Sequence, residues 1–337
     1  MGKKKESFEN SSELVPINPA IAELFADNEN SVVESLPLVL SYIPSFFTTA
    51  SLPFKNVHKT VFIRKGSDGV TLTLSSPKNV PFGKYGRLLL SVLTTHAVLS
   101  KEKNLPVLIE YRSLAELLRE LQLPKQRGKE IREQLECFSN ASFSFEQKIR
   151  ELRAAYLFKD LYTEKNYPSG DVQVTTKTTG NIRFTNGVQF QEIEDGSDEN
   201  KYGRFKILLS PEFVGLCQKH AVPINYSVYK EISSPIGKDM YAWLIYRNNG
   251  ISEPVYIPRQ RLVEQFCPVE STDSIQRNKL TSNNYYKLVD ILKEIKQKWY
   301  PELNISFDSE GTGITLYKSP TPVLKEDTRY ALITSDL

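Results

Sequence analysis

Three histidines (His58, His96, His220) and three cysteines (Cys137, Cys217, Cys267) are the side chains here best suited to bind a transition metal, and they are scattered singly along the chain. Metal-assisted cleavage of a nucleic-acid strand needs ligands that converge and a nucleophile beside them. The Tyr285-Tyr286 pair supplies a candidate nucleophile, but no ligand cluster accompanies it. Tyr285 also shares one predicted helical face with Leu288, Leu292, Ile295 and Trp299, so core packing is expected of it. Cys217 and His220 stand three residues apart on a predicted helix, yet two ligands do not make a site. A GxxxxGK[ST] loop that would cradle ATP phosphates is absent from the sequence. The expectation is a chain with no catalytic residue, no metal and no cofactor: not an enzyme.

The side chains that do cluster are cations. Residues 119–132 hold five Lys or Arg against two acids and residues 274–300 hold six against two, together +7. The whole chain carries +3, so the remainder sums to −4. Two basic segments on an otherwise acidic chain suit a polyanion touched at two places. Lys125, Arg127, Lys129 and Arg132 in the first segment, and Arg277, Lys279, Asn283, Asn284 and Lys287 in the second, are the candidate readers of DNA. Arg suits guanine and Asn suits adenine in the major groove. Any one of these cations reads equally well as a solubilising residue on a solvated helix face, and it is the clustering that carries the inference. Lys148 and Arg150 follow on a predicted strand, where a wing would reach a phosphate or the minor groove. Arg87 heads a long apolar stretch and reads either as a phosphate contact or as a solvated end residue.

The elements that must position these groups follow from apolar periodicity. In 337 residues with 40% apolar and 25% charged side chains there is room for two domains that fold without disulfides. The odd, dispersed cysteines fit a reducing cytoplasm and read as small buried hydrophobes. The first residues lack the apolar run of a signal peptide, and neither LPLVLSYIPSFF (36–47) nor the stretch 81–98 is long enough to span a bilayer. PFGKYGRLLLSVLTTHAV (81–98) is read as a buried helix covered on several sides. A hairpin is expected over 57–76 around Gly-Ser-Asp-Gly, and a capping box at Ser113 and Glu116 opens an amphipathic helix. Ile131, Leu135 and Phe138 then share the inner face of a basic helix.

The second half repeats this plan. Ser210 caps a helix, a long apolar helix follows at PIGKDMYAWLIYRNNG, then PRQRLVEQF, a basic helix over 281–300, and a closing hairpin. The expected fold is α+β, two tandem winged-helix domains. The expected boundaries are a tail over 1–35 with a short helix from Asn18, a first domain over 36–209 with an extended wing or insertion around 163–203, a second domain over 210–320, and a tail over 321–337.

Beyond these patterns, several blocks resemble plasmid replication initiators of the RepA type. PFGKYGRLLLSVLTTHAV and RGKEIREQLECF are similar to two family signatures, as are HAVPINYSVYKEISSPIGKDMYAWLIYR, IPRQRLVEQF, WYPELNISF and SPTPV, in the family's order and over roughly 50–323. His96, Phe54 and Gln126 depart from the family's usual residues. The resemblance implies a protein that binds repeated sites in double-stranded origin DNA, helps open the origin, and recruits the host replication initiator and helicase machinery. It also implies exchange between homodimer and monomer, and plasmid association within a bacterial cytoplasm. A repressor built on the same fold without initiator activity is the alternative.

Overall fold

The computed structural model describes residues 39–66, 70–100, 103–154, 171–193, 201–269 and 271–323. The helix expected from Asn18, the tip of the Gly-Ser-Asp-Gly turn, parts of the 163–203 segment and most of the C-terminal tail lie outside them. The described residues form a mixed α/β structure. Strand β1 (Leu40–Pro44) leads into a short helix α1 (Ser45–Thr49) and the expected hairpin of β2 (Val61–Lys65) and β3 (Val70–Ser75). Then come α2 (Gly83–Leu99), β4 (Val107–Tyr111), α3 (Leu114–Glu120), and a 3-10 turn at Lys125–Arg127 that runs into α4 (Gly128–Asn140). Four strands follow: β5 (Ser142–Ala154), β6 (Asp171–Arg183), β7 (Thr185–Ile193) and β8 (Lys201–Leu209).

The second half opens with α5 (Pro211–Lys219), β9 (Ala221–Asn225) and α6 (Tyr226–Glu231). It continues with α7 (Pro235–Gly250), β10 (Val255–Pro258), α8 (Arg259–Phe266) and α9 (Ser274–Glu294), which ends in a π-turn at Ile295–Trp299. β11 (Ile305–Phe307) and β12 (Gly313–Leu316) close the described chain. Both halves therefore contain, in order, a helix, a strand, a helix, a basic helix and a hairpin, with β5 and β6 inserted before the hairpin in the first, and the sheets agree: β4–β8–β7 in one and β10–β12–β11 in the other, all antiparallel.

One expectation fails here. The strand after the first basic helix was expected to begin the wing, but β5 pairs with β3 and β6 in a four-stranded sheet, β2–β3–β5–β6. The hairpin beside β4 is built instead by β7 and β8. Aromatic packing explains the choice, because Phe143 of β5 is fully buried against Phe47, Phe184 and Phe213.

The long apolar helices are struts. Every residue of α2 from Gly86 to Ala97 is buried, with β1, α4, α5 and α7 packed around it. In α7 the same holds from Gly237 to Ile245. A single apolar core passes through both halves, and β1 pairs with β9 across them. Ser210 caps α5 as expected, its Oγ accepting from Phe213 N at 3.1 Å. At α3 the capping box is displaced by one residue. Ser113 makes no side-chain cap, and Glu116 Oε2 accepts from Arg112 N at 2.6 Å.

Candidate nucleic-acid interface

The first basic helix is fixed by its inner face. Ile131, Leu135 and Phe138 are buried as their spacing predicts. Gln134, also buried, accepts from Phe82 N at 2.9 Å, which ties the start of α2 to α4. A Cβ on Gly86 would stand 2.8 Å from Gln134 Oε1, so a larger residue there would push the Gln134 amide off Phe82 N. What is left outside is the N-terminal end: Lys125, Arg127 and Lys129 are exposed, and Arg132 is half-buried. Arg127 pairs with Glu130 at 2.9 Å, which raises the Arg127 pKa, while a backbone hydrogen bond and then Arg127 lower that of Glu130. Lys84 and Tyr85, at the head of α2, complete this surface; the Arg127 guanidinium carbon lies 6.0 Å from the Tyr85 ring centroid. These two residues were not among the candidates, because nothing in the sequence brings 84–85 beside 127.

Glu120 belongs to the same basic segment by sequence but not by location. It is buried, accepting from Tyr111 Oη at 2.6 Å and lying 2.9 Å from His96 Nε2. Its charge is therefore withdrawn from the surface, which makes the exposed patch more positive than the sequence count. Burial, then the neighbouring Glu120, pushes the Tyr111 phenol well above its usual range.

The second basic helix is anchored by its C-terminal half. Tyr285, Leu288, Val289 and Leu292 are buried, and Tyr285 Oη donates to Gly313 O at 2.7 Å. Asn284 is half-buried and donates to Cys267 O at 3.1 Å, so its amide secures the α8–α9 connection and is turned away from the outer face. Arg277 donates from Nε and one terminal nitrogen to Ser271 O, at 2.8 and 2.6 Å. Lys279, Asn283 and Lys287 are exposed. The helix begins at Ser274, two turns before the expected start, and every residue from Ser274 to Leu280 is exposed. Those two turns have no core face at all.

Lys148 and Arg150 fall in the β5–β6 hairpin, opposite Lys177 and Thr175. That hairpin is not part of the β4–β8–β7 sheet on which their expected placement depended.

Arg87 is corrected outright: it is neither a solvated end residue nor exposed to a phosphate. It is 2% exposed, and all five of its N–H groups are used. Nε and one terminal nitrogen hold Asp239 at 2.6 and 2.7 Å, and the remaining bonds go to Leu52, Pro53 and Gly83 carbonyls. Asp239 comes from α7, so the pair joins the two apolar struts. Around it lie Arg64, stacked 4.4 Å from the Phe54 ring centroid, and Lys238, wholly buried with Nζ donating to Tyr229 O and Lys230 O. Burial draws the Arg64 guanidinium down to about 10; burial, with Lys84 and Arg87 nearby, draws the Lys238 ammonium down to about 7.

The scattered thiols and imidazoles do not converge. Cys217 is buried while His220 is exposed, and Cys137, also buried, has its thiol pushed up to about 12. Cys267 is half-buried. Among the described residues, no three His, Cys, Asp or Glu come together as around a metal ion, and no helix is long and apolar enough to cross a membrane.

No family model matches the chain, and no curated protein matches it. Two crystal structures are similar in part. One, of the selenomethionine derivative of domains 2 and 3 of RctB, is 13% identical, with a TM-score of 0.47 over 83% of this chain and 99% of that one. The other, again of RctB domains 2–3, is 12% identical, with a TM-score of 0.43 over 79% and 92% of the respective chains.

Proposed function

We propose that this chain is a replication initiator that binds DNA through two winged-helix modules and acts by binding, without catalysing a reaction. The observation that carries the reading is the free N-terminal end of α9. Seven successive exposed residues, Ser274 to Leu280, extend roughly 10 Å at the rise of an α-helix, close to the depth of a B-DNA major groove. A helix end that packs against no core, is tied only to its own cap and preceding loop at Asp273 and Ser271, and carries Arg277 and Lys279 suits a phosphate-lined groove. The end of α4 offers Lys125, Arg127 and Lys129 at the corresponding place in the first module.

Two such ends on one rigid core would enter successive major grooves, about one helical turn apart. Origin opening would then be driven by bent or strained DNA held across both modules, at an order of 1–6 kcal/mol for bending. Recruitment of host initiator and helicase proteins, homodimer formation and plasmid origin repeats as the target belong to the same proposal and rest on the family resemblance.

Binding to a duplex spanning the DNA that flanks its gene tests the reading. Affinity should fall at least about tenfold between 50 and 200 mM salt, since several phosphates release counterions on binding. A flat salt response would defeat it. A DNA circle carrying only this gene and its flanking sequence should persist in cells; tight operator binding without persistence would identify a repressor.

A further inference from the structure

We infer that Ile275 is a specificity-determining residue that favours thymine, packing against the base's 5-methyl group in the major groove. This rests on the DNA-binding reading above and adds a base preference to it. Ile275 is 79% exposed, the highest value of any large apolar side chain among the described residues. It occupies the second position of α9, one turn before Lys279 and two before Asn283, so the three form one exposed stripe at i, i+4 and i+8.

Its backbone is fixed where it stands. Asp273 caps the helix, with Oδ1 accepting from Ile275 N at 2.9 Å, and Arg277 grips the preceding loop at Ser271. The other residues of the free turns are Ser274, Gln276, Arg277, Asn278 and Lys279, all polar, and Leu280, which stands five positions on and shares no helical face with Ile275. A protein-docking patch would bring further apolar side chains around an anchor, and a single isoleucine among cations does not. On a base edge the situation differs, because the thymine methyl is the one apolar group the major groove presents among hydrogen-bonding edges. The residues at the start of a groove-bound helix are those that reach base edges.

The test uses the full chain and a randomised duplex pool from which it enriches its own site. In the enriched duplex each thymine is replaced in turn by deoxyuridine, which lacks only the methyl group. The wild-type chain should lose roughly fourfold in affinity at one or two positions, the effect of exposing one buried methyl. Ile275→Ala should bind the thymine duplex more weakly by a similar factor and show no uracil effect at those positions. If no thymine matters to the wild type, or if Ile275→Ala keeps the wild-type uracil profile, the inference is overturned and DNA binding stands. If the full chain enriches no duplex, the DNA-binding reading falls and takes this inference with it.

Discussion

Arg87 shows how an isolated charge at the head of an apolar run misleads. An arginine in that place is compatible with solvent, with a phosphate or with a buried acid, and the acid is 152 positions away at Asp239. Nothing in the local pattern points to it. Because the pair is enclosed, removing one partner strands the other, and Asp239→Ala should cost about 3–5 kcal/mol in urea unfolding. Arg87→Lys should recover little, since an ammonium cannot bridge both carboxylate oxygens and three carbonyls at once. Lys238, next in sequence to Asp239, responds to pH in the opposite sense to a lysine held charged by a salt bridge. Its pKa lies near 7 in the fold against about 10.4 in an unfolded chain, so the unfolded state binds more protons between those values and stability rises with pH. Above about pH 8.5 the buried cysteines, whose thiols are pushed up, reverse the slope. The clean window is therefore pH 7 to 8.5, over which the wild type should gain about 1–2 kcal/mol. Lys238→Met should flatten that gain, as read from denaturation midpoints at each pH.

At the scale of elements, what was legible was what repeats and what is buried. The hairpin of β2 and β3, the struts α2 and α7, the inner faces of α4 and α9 and the Ser210 cap all appear where apolar period and capping chemistry put them. The partner of β5 was not legible, because alternation reports that a strand is half-buried and is silent on which strand lies beside it. The start of α9 was missed for a related reason. Ile275 and Leu280 are five apart and share no face, so the periodic signal begins only at the buried part of the helix. The portion that carries the candidate contacts is the portion without a core pattern. Those turns are held by the Asp273 cap and by the bonds between Ser271 and the side chains of Arg277 and Gln276, with no core contact. Asp273→Ala should leave global unfolding unchanged while speeding amide exchange over 274–280 about fivefold, corresponding to about 1 kcal/mol for a lost cap.

At the scale of the molecule, the two modules resemble one another in order and sheet topology yet do not stand apart. β1, at the start of the first half, supplies the partner strand for β9 in the second, from Leu40 opposite Asn225 to Pro44 opposite Ala221. The Arg87–Asp239 pair crosses between the struts, and Gln265 of α8 donates to Thr48 O at 3.2 Å. The apolar core is continuous through all of these contacts. A rigid core of this kind is what would hold two basic helix ends at a fixed separation, because a flexible linker would let each dock independently. The same continuity forbids dividing the chain where its repeat divides. A fragment over 210–323 would keep α7, α8, α9 and the β10–β12–β11 sheet, but would leave β9 as an unpaired edge and Asp239 as a buried carboxylate without its guanidinium. That fragment should expose apolar surface and lack a sharp thermal transition, whereas the full chain should unfold in one cooperative step with matching calorimetric and van't Hoff enthalpies. Two resolved transitions in the full chain, or a fragment as sharply folded as the parent, would show that the halves are independent and that the core does not fix the separation of the two basic helix ends.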